Sequence, residues 1–184
     1  MILPVYVYGS PVLRKIAREL EQDEEGLNEF IDNLWETMYH SDGIGLAAPQ
    51  VGKSWQVFVI DGTPMEEDDP SVKDFKSTFI NPVIVEKSGD DKVYEEGCLS
   101  IPDIREQIVR PEKVRIQYYD RDFNYHDEEY DGIAARIIQH EYDHLNGVLF
   151  TDRTAPLKKR MLKNKLNAIS KGKFQVKYKV KVPK

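Results

Sequence analysis

Two histidines four residues apart, His140 and His144, enclose an acidic residue in the segment His140-Glu141-Tyr142-Asp143-His144. On a helix, positions i and i+4 project from the same face, so the two imidazoles can hold one metal ion together. The carboxylate of Glu141 lies one residue along, within reach of a water molecule on that ion. The spacing therefore predicts a metal site with its own acid–base residue. The plainer alternative is a charged helix with two incidental histidines.

A catalytic metal site usually has three protein ligands, so a third ligand has to lie elsewhere in the chain. One group of metalloproteases extends this motif downstream with a glycine and then a histidine. Here Gly147 fits the glycine, but Phe150 stands at the histidine position, and no histidine or glutamate follows His144. Asp152 is the only downstream carboxylate. The downstream third ligands that such proteases usually have are therefore nearly excluded.

The upstream candidates for the third ligand are His40, His126 and Cys98. His40 ends an amphipathic helix and is expected to be a cap-region or surface residue, and His126 lies among acidic residues in an expected solvated turn. Cys98 stands at the end of a predicted strand, and a thiolate binds zinc or ferrous iron strongly alongside imidazoles. A lone intracellular cysteine is more often a buried apolar residue. Beside an unfinished two-histidine site, we favour Cys98 as the third ligand.

Hydrophobic periodicity predicts the elements that must position these residues. Apolar residues at helical spacing predict a helix over 24–40, and Ser10 before Pro11 predicts a short helix through Ala17. The motif helix is expected to start at Asp131 or Gly132 and to end before Gly147, and a last helix is expected over 156–170. Strands are predicted at Gln56–Ile60, Thr78–Glu86, Lys92–Glu95, Ile104–Val109 and Val114–Tyr119. This pattern predicts an α+β fold in which antiparallel β-sheets pack around the motif helix.

The composition suits one globular domain. The chain has 184 residues, of which 40% are hydrophobic, enough for a sizeable core. No apolar run approaches the roughly 20 residues of a membrane span, and the N-terminus lacks the features of a secretory signal. The lone Cys98 cannot form an internal disulfide, which suits a reducing cytosol. We therefore expect a cytoplasmic protein without a membrane partner.

Charge is distributed unevenly along the chain. The net charge is −6, all 32 acidic residues lie in 1–152, and 153–184 has 12 basic residues and no acidic one. Within that segment, residues 174–182 alternate apolar with cationic or polar side chains, which is the pattern of a strand. The basic segment either binds RNA or another polyanion electrostatically, or it is solvated and only offsets the negative charge of the acidic body. The acidic loop 61–76 is expected to be mobile.

Three segments together resemble peptide deformylases of the bacterial type: Gly43-Ile44-Gly45-Leu46-Ala47-Ala48-Pro49-Gln50, Glu96-Gly97-Cys98-Leu99-Ser100 and Gln139-His140-Glu141-Tyr142-Asp143-His144-Leu145. The opening Gly9-Ser10-Pro11-Val12-Leu13-Arg14 is also similar to that family, and the resemblance covers about residues 2–153. It implies a catalytic domain over 1–152, with 153–184 as a helix and strand of the same domain or an appended tail. It also implies an enzyme that removes the N-formyl group from the N-terminal methionine of newly made proteins and releases formate.

The resemblance further implies the roles of particular residues. One divalent ion, ferrous iron in preference to zinc, nickel or cobalt, has three protein ligands: Cys98, His140 and His144. Its fourth position carries a water molecule, and Glu141 takes the proton of that water and later gives it to the leaving amine. The formyl oxygen is expected to accept hydrogen bonds from the side-chain amide of Gln50 and the backbone N–H of Leu99.

Substrate binding and support of the site are also expected from these motifs. The segment 43–46 is implied to pair with the substrate backbone like an added strand. The candidates for a pocket that binds the methionine side chain are Ile44, Leu46, Ile133 and Ile137, although each can equally be a residue of the hydrophobic core. Glu96 is expected to orient a ligating histidine, and Asp143 to pair with a cation such as Arg110. The expected substrate-binding residues are Ile44, Gly45, Leu46, Gly97, Ile133 and Ile137.

Two other functions compete with this interpretation. A metallopeptidase that cleaves internal peptide bonds needs a downstream ligand and would keep its metal in Cys98→Ala. A metal-stabilised RNA-binding module would keep full function in Glu141→Ala and would lose binding steeply with salt. A combination is also open, in which the basic segment 153–184 docks on ribosomal RNA while the body acts on nascent chains. DNA is not an expected partner.

Overall fold

The computed structural model describes all residues, 1–184, and has an α+β architecture. Three α-helices span Leu27–His40 (α1), Gly132–Leu145 (α2) and Pro156–Ser170 (α3). The strands are Val5–Tyr6 (β1), Gly45–Ala47 (β2), Val57–Asp61 (β3), Lys76–Cys98 (β4), Ile101–Tyr119 (β5), Tyr125–Asp131 (β6) and Val180–Lys181 (β7). The predicted fold class is confirmed. No helix is both long and apolar enough to cross a bilayer.

The main sheet is antiparallel and contains five strands in the order β2-β3-β4-β5-β6. The prediction of four separate strands in its centre was wrong, because Thr78–Glu86 and Lys92–Glu95 belong to one strand, β4. In the same way, Ile104–Val109 and Val114–Tyr119 are both parts of β5. Register shifts, for example between Ser88 and Asp91, let this long hairpin continue where glycine and proline indicate breaks in the sequence.

Strand β6 was not predicted, and His126 does not lie in a turn as expected but within this strand. Four of the seven residues in β6 are exposed and the sequence is strongly acidic, so it lacks the apolar alternation of a typical strand. Pairing with β5 brings acidic residues next to cations: Arg115 lies opposite Glu129 and binds its diagonal neighbour Asp127 at 2.8 Å. His126 is hydrogen-bonded to Asp120 at 2.8 Å.

The central helix α2 is largely buried and begins at the predicted Gly132. It ends at Leu145, and Gly147 follows with a φ of 71°, the left-handed conformation expected of a residue that terminates a helix. Its apolar residues pack against the sheet together with Phe58, Phe79 and Ile116. This helix therefore sits in the core and holds the motif side chains in a fixed orientation.

Two predicted N-terminal helices are shorter than expected. The segment Pro11–Arg14 forms a single 3-10 turn that does not reach Ala17, and α1 starts at Leu27 after Gly26, whose φ is 75°.

The acidic segment 61–76 is not a loop without regular structure. It contains 3-10 turns at Thr63–Met65 and Pro70–Val72, and Val72 is fully buried.

The C-terminal segment after α3 packs against the body of the protein. Only Val180–Lys181 form a regular strand, which pairs in parallel with β1. The predicted alternation between faces is nevertheless present: Phe174, Val180 and Val182 pack against buried residues, and the intervening lysines are exposed. The regular strand is short because β1 offers only two residues as a pairing partner.

Candidate active site

The three predicted metal ligands lie together at the junction of β4 and α2. Cys98 is the last residue of β4, and His140 and His144 are one turn apart on the same face of α2. One donor atom from each of the three residues lies within 4.8 Å of the others. The Sγ of Cys98 is 3.4 Å from Nε2 of His144. The alternative ligands His40 and His126 are not part of this cluster.

Glu96 supports His140 from behind the cluster. With Nδ1 protonated, His140 donates a hydrogen bond to Glu96 Oε1 at 2.9 Å, which leaves Nε2 free for a metal. The guanidinium of Arg110 donates to both oxygens of Glu96, at 2.7 and 2.9 Å, and Arg136 donates to Oε2 at 2.8 Å. Burial alone would raise the pKa of Glu96, but the hydrogen bonds from His140 and Arg110 hold it well below its usual range. Glu96 is therefore a charged acceptor with fully engaged oxygens.

Asp143 points away from the ligand face of α2 and binds two arginines. Arg110 donates to it at 2.9 Å, which is the predicted pair, and Arg153 donates to both of its oxygens at 2.6 and 2.7 Å. Arg110 thus bridges Glu96 and Asp143 across the protein interior. This chain of alternating charges links β4, β5 and α2 behind the predicted metal ligands.

Glu141 is as buried as Glu96 but lacks comparable partners. Its side chain is 4% exposed, and its Oε2 has no hydrogen-bond partner within the protein. Burial raises the pKa of Glu141 to about 7. The carboxylate lies against Gly45 of β2, where an added Cβ would come within 2.6 Å of Glu141 Oε1. Gly45 therefore provides the space that the carboxylate occupies.

Gln50 and Leu99 lie next to Cys98. The Oε1 of Gln50 accepts a hydrogen bond from the backbone N–H of Ala47 at 2.9 Å, which fixes the orientation of the amide. Its Nε2 donates to Ser100 Oγ at 3.2 Å and lies 3.4 Å from Cys98 Sγ. Leu99 occupies the turn between β4 and β5, and its N–H donates to no other residue. Both groups are thus donors beside the ligand cluster.

A cavity of about 600 Å³ opens onto the cluster. Five of the six expected substrate-binding residues line it, namely Ile44, Gly45, Gly97, Ile133 and Ile137. Leu46 is the exception. Its side chain is fully buried and packs in the core with residues of α1, so it cannot be part of an apolar pocket.

Comparison with known proteins identifies the family. The family model described as "Polypeptide deformylase" matches residues 2–160. The chain belongs to this family. A peptide deformylase of Christiangramia forsetii is 47% identical over 190 residues, which cover 100% of this chain and 97% of the relative. One of Cytophaga hutchinsonii is 48% identical over 183 residues, with coverage of 100% and 98%.

Solved structures of deformylases have the same fold. A peptide deformylase from Legionella pneumophila has a TM-score of 0.80 at 37% identity, covering 93% of this chain and 96% of that chain. One from Thermotoga maritima has a TM-score of 0.76 at 44% identity, with coverage of 85% and 99%. The expectation of an enzyme of the deformylase type is therefore confirmed.

Several residues of this deformylase site were missed in the sequence. Arg136 precedes His140 by one helical turn and is a cation among the apolar residues of a buried helix, a signal that indicates a buried partner. Arg153 has no comparable signal, because its contact with Asp143 depends on how the chain turns after α2. Val176 and Tyr178 line the cavity from the C-terminal segment, beyond the residues matched to the family.

Proposed function

We propose that this enzyme hydrolyses the N-formyl group of N-terminal formylmethionine in newly made proteins and releases formate. The observation that carries the proposal is the buried carboxylate of Glu141, one oxygen of which has no partner, beside a Cys-His-His cluster at the wall of a cavity. A buried polar atom without a partner is costly, and such sites in native proteins are commonly functional.

The donor set fits one divalent transition-metal ion. A thiolate and two imidazoles suit ferrous iron, zinc, nickel or cobalt, and the donor atoms of Cys98, His140 and His144 are close enough to share one ion. The hydrogen bond from His140 to Glu96 leaves the other ring nitrogen available, as ligation requires. When bound, such an ion supplies Lewis-acid chemistry that makes water more acidic and the formyl carbonyl more electrophilic. We propose ferrous iron as the physiological ion.

The protein side chains carry the proton transfers and stabilise the developing charge. Glu141 accepts the proton of the attacking water and donates it to the amine as the bond between the formyl carbon and nitrogen breaks. The products are formate and a free α-amino group. The Nε2 of Gln50 and the N–H of Leu99 donate hydrogen bonds to the formyl oxygen as negative charge develops on it.

Substrate would bind along β2 and in the apolar part of the cavity. Strand β2 is at the edge of the sheet, with β3 on one side only, so it can accept an added strand on the other side. The backbone carbonyl of Ile44 already accepts from Asp61 in β3, so the N–H and C=O of Gly45 point away from β3 and are available to a peptide. Ile44, Ile133 and Ile137 supply apolar surface for the methionine side chain.

Formate release tests the proposal directly. Iron-loaded protein, handled without oxygen, is expected to release formate from N-formyl-methionyl peptides, and Glu141→Ala is expected to lose this activity. The matched N-acetyl-methionyl peptide separates deformylation from general amide hydrolysis. Absence of formate from iron-loaded wild type would overturn the proposal, and so would a Glu141→Ala variant as active as wild type. Metal analysis of protein purified without oxygen tests the ion, and another metal in stoichiometric amount would contradict ferrous iron.

We further propose that the enzyme works in the cytoplasm, where nascent chains are made, and that its basic C-terminal part docks on ribosomal RNA. The lysines and arginine of the first turns of α3 are all exposed: Lys158, Lys159, Arg160, Lys163 and Lys165. Such a cationic surface binds polyanions by releasing counterions, so the association should weaken steeply with salt.

The double charge reversal Lys159→Glu/Lys163→Glu tests this docking, since both residues lie on one face of α3. It is expected to reduce sedimentation with ribosomes at least tenfold while formate release from short peptides is unchanged. The control is Lys15→Glu/Lys73→Glu, which makes the same change of charge at two other exposed positions. Equal sedimentation of both variants and wild type would remove the docking proposal. Deletion of 153–184 is a poor test because Leu162, Leu166 and Ile169 are part of the core.

A further inference from the structure

The C-terminal segment runs across the body of the protein and reaches the active-site cavity. The backbone N–H groups of Val5 and Val7 donate to the carbonyls of Lys179 and Lys181, at 2.9 and 3.2 Å, which anchors its path. Alternate side chains of the segment turn inward, and two of them, Val176 and Tyr178, line the cavity. The segment lies outside residues 2–160, so the family motifs assign no role to it.

Tyr178 makes a specific polar contact in this cavity. Its hydroxyl donates a hydrogen bond to the backbone carbonyl of Leu99 at 2.8 Å, across 79 residues of sequence. The carbonyl of Leu99 belongs to the peptide between Leu99 and Ser100, which is the central peptide of the turn joining β4 to β5. The other face of Leu99 carries the N–H that has no acceptor within the protein.

The turn itself lacks the geometry that would make it rigid. Two-residue hairpin turns favour types in which at least one residue has positive φ, and neither Leu99 nor Ser100 does. The pairing beside the turn is irregular, because the register shifts between Gly97 and Cys98 and Asp103 has a positive φ of 64°. A turn of this kind depends on contacts from outside the hairpin.

Those outside contacts divide between the two residues of the turn. Ser100 is held twice, since its carbonyl accepts from the N–H of Tyr8 at 2.8 Å and its Oγ accepts from Gln50 at 3.2 Å. Leu99 has one polar contact with the rest of the protein, the hydroxyl of Tyr178. Holding the peptide that follows Leu99 restricts rotation about ψ of Leu99 and thereby the conformation of the residue that bears the free N–H.

We propose that Tyr178 is a positioning residue, whose hydroxyl fixes the Leu99 peptide so that the Leu99 N–H is presented to the formyl oxygen of the substrate. The C-terminal segment then completes the site that the motif residues begin. This inference rests on the proposed deformylase reaction. The alternative is that Tyr178 serves only as a packing side chain, in which case its ring matters and its hydroxyl does not.

Tyr178→Phe separates these two roles because it keeps the ring and removes the hydroxyl. We expect kcat for an N-formyl-methionyl peptide to fall about tenfold with KM within about twofold, since a transition-state hydrogen bond is weakened and ground-state binding is not. The protein should be nickel-loaded and of full length, with metal content and Tm measured in parallel. Tyr125→Phe removes an exposed hydroxyl without a partner and should leave kcat unchanged.

A kcat of Tyr178→Phe within twofold of wild type would overturn the inference, and so would a change confined to KM, which indicates a packing contact with substrate. Amide hydrogen exchange of Tyr8, whose N–H donates a hydrogen bond to the carbonyl of Ser100 in the same turn, gives a second measurement that does not require activity. The exchange rate should rise at least tenfold in Tyr178→Phe and not in Tyr125→Phe. Equal rates in the two variants would contradict the proposal that Tyr178 fixes the turn. Wild-type protein without deformylase activity would remove the proposed function, while the exchange measurement would still test whether Tyr178 fixes the turn.

Discussion

Glu96 and Glu141 are two carboxylates with nearly equal burial, 5% and 4% exposed, in opposite electrostatic surroundings. Glu96 accepts hydrogen bonds from Arg110, Arg136 and His140, and despite burial the bonds from His140 and Arg110 hold its pKa well below the usual range. Glu141 has an oxygen without a partner, and burial raises its pKa to about 7. The same side chain thus serves as a fixed support in one place and as a candidate proton carrier in the other.

The difference shows that burial alone does not determine the role of an acidic residue. A carboxylate surrounded by donors is locked in its charged form, which suits the orientation of a ligand such as His140. A carboxylate without donors can exchange a proton at modest cost, which suits general base chemistry. Substitutions that remove the charge at each position should therefore have different consequences.

Glu141→Gln should have the largest effect on catalysis. We expect kcat to fall about 10²–10⁴-fold, because the amide cannot accept the proton, while metal content and Tm stay close to wild type. Formate release, elemental analysis and thermal unfolding of the same preparation test this. The control is Tyr142→Phe, the next residue of α2, whose hydroxyl makes no hydrogen bond. More than a tenth of wild-type kcat in Glu141→Gln would mean that this carboxylate does not carry the proton.

Glu96→Gln should instead reduce stability and metal binding. Glutamine removes the charge that Arg110 and Arg136 share and points an NH2 group at donors that need an acceptor, and breaking a buried ion pair in this way costs about 3–5 kcal/mol. Weaker orientation of His140 should lower metal affinity about 10–100-fold. Denaturant unfolding and metal titration measure both effects.

The neighbouring Glu95 provides a matched control for that experiment. It pairs with Arg105, but both side chains are more than half exposed, 54% and 63%. Glu95→Gln should therefore change the free energy of unfolding by less than about 1 kcal/mol. If both glutamine variants had the same stability, the buried network behind His140 would not contribute to folding.

Asp143→Asn should have the smallest effect of the three. The asparagine keeps one oxygen for Arg110 or Arg153, so a loss of about 1–3 kcal/mol in the free energy of unfolding is expected. Fully metal-loaded protein should retain wild-type kcat, because Asp143 points away from the ligand face. Unchanged stability and metal content would show that Asp143 has no structural role, and a large fall in kcat at full metal occupancy would assign it a catalytic one.

Local sequence patterns were sufficient to predict several parts of the fold. The i, i+4 spacing of His140 and His144 follows from helix geometry, and the limits of α2 follow from the glycines at its ends. The long hairpin β4–β5 and strand β6 were not predicted correctly. Pairing with a neighbouring strand stabilises glycine, proline and acidic residues in extended conformations that their own preferences disfavour.

The sequence by itself determined the proposed ligand types, the position of the proposed acid–base residue and the α+β class, because these depend on spacing within single elements and on motifs. It did not distinguish Glu96 from Glu141 electrostatically, place Leu46 in the core, or connect Tyr178 with Leu99. Only the tertiary structure decided these, because a pKa, a buried position and a contact across 79 residues depend on which elements pack against each other.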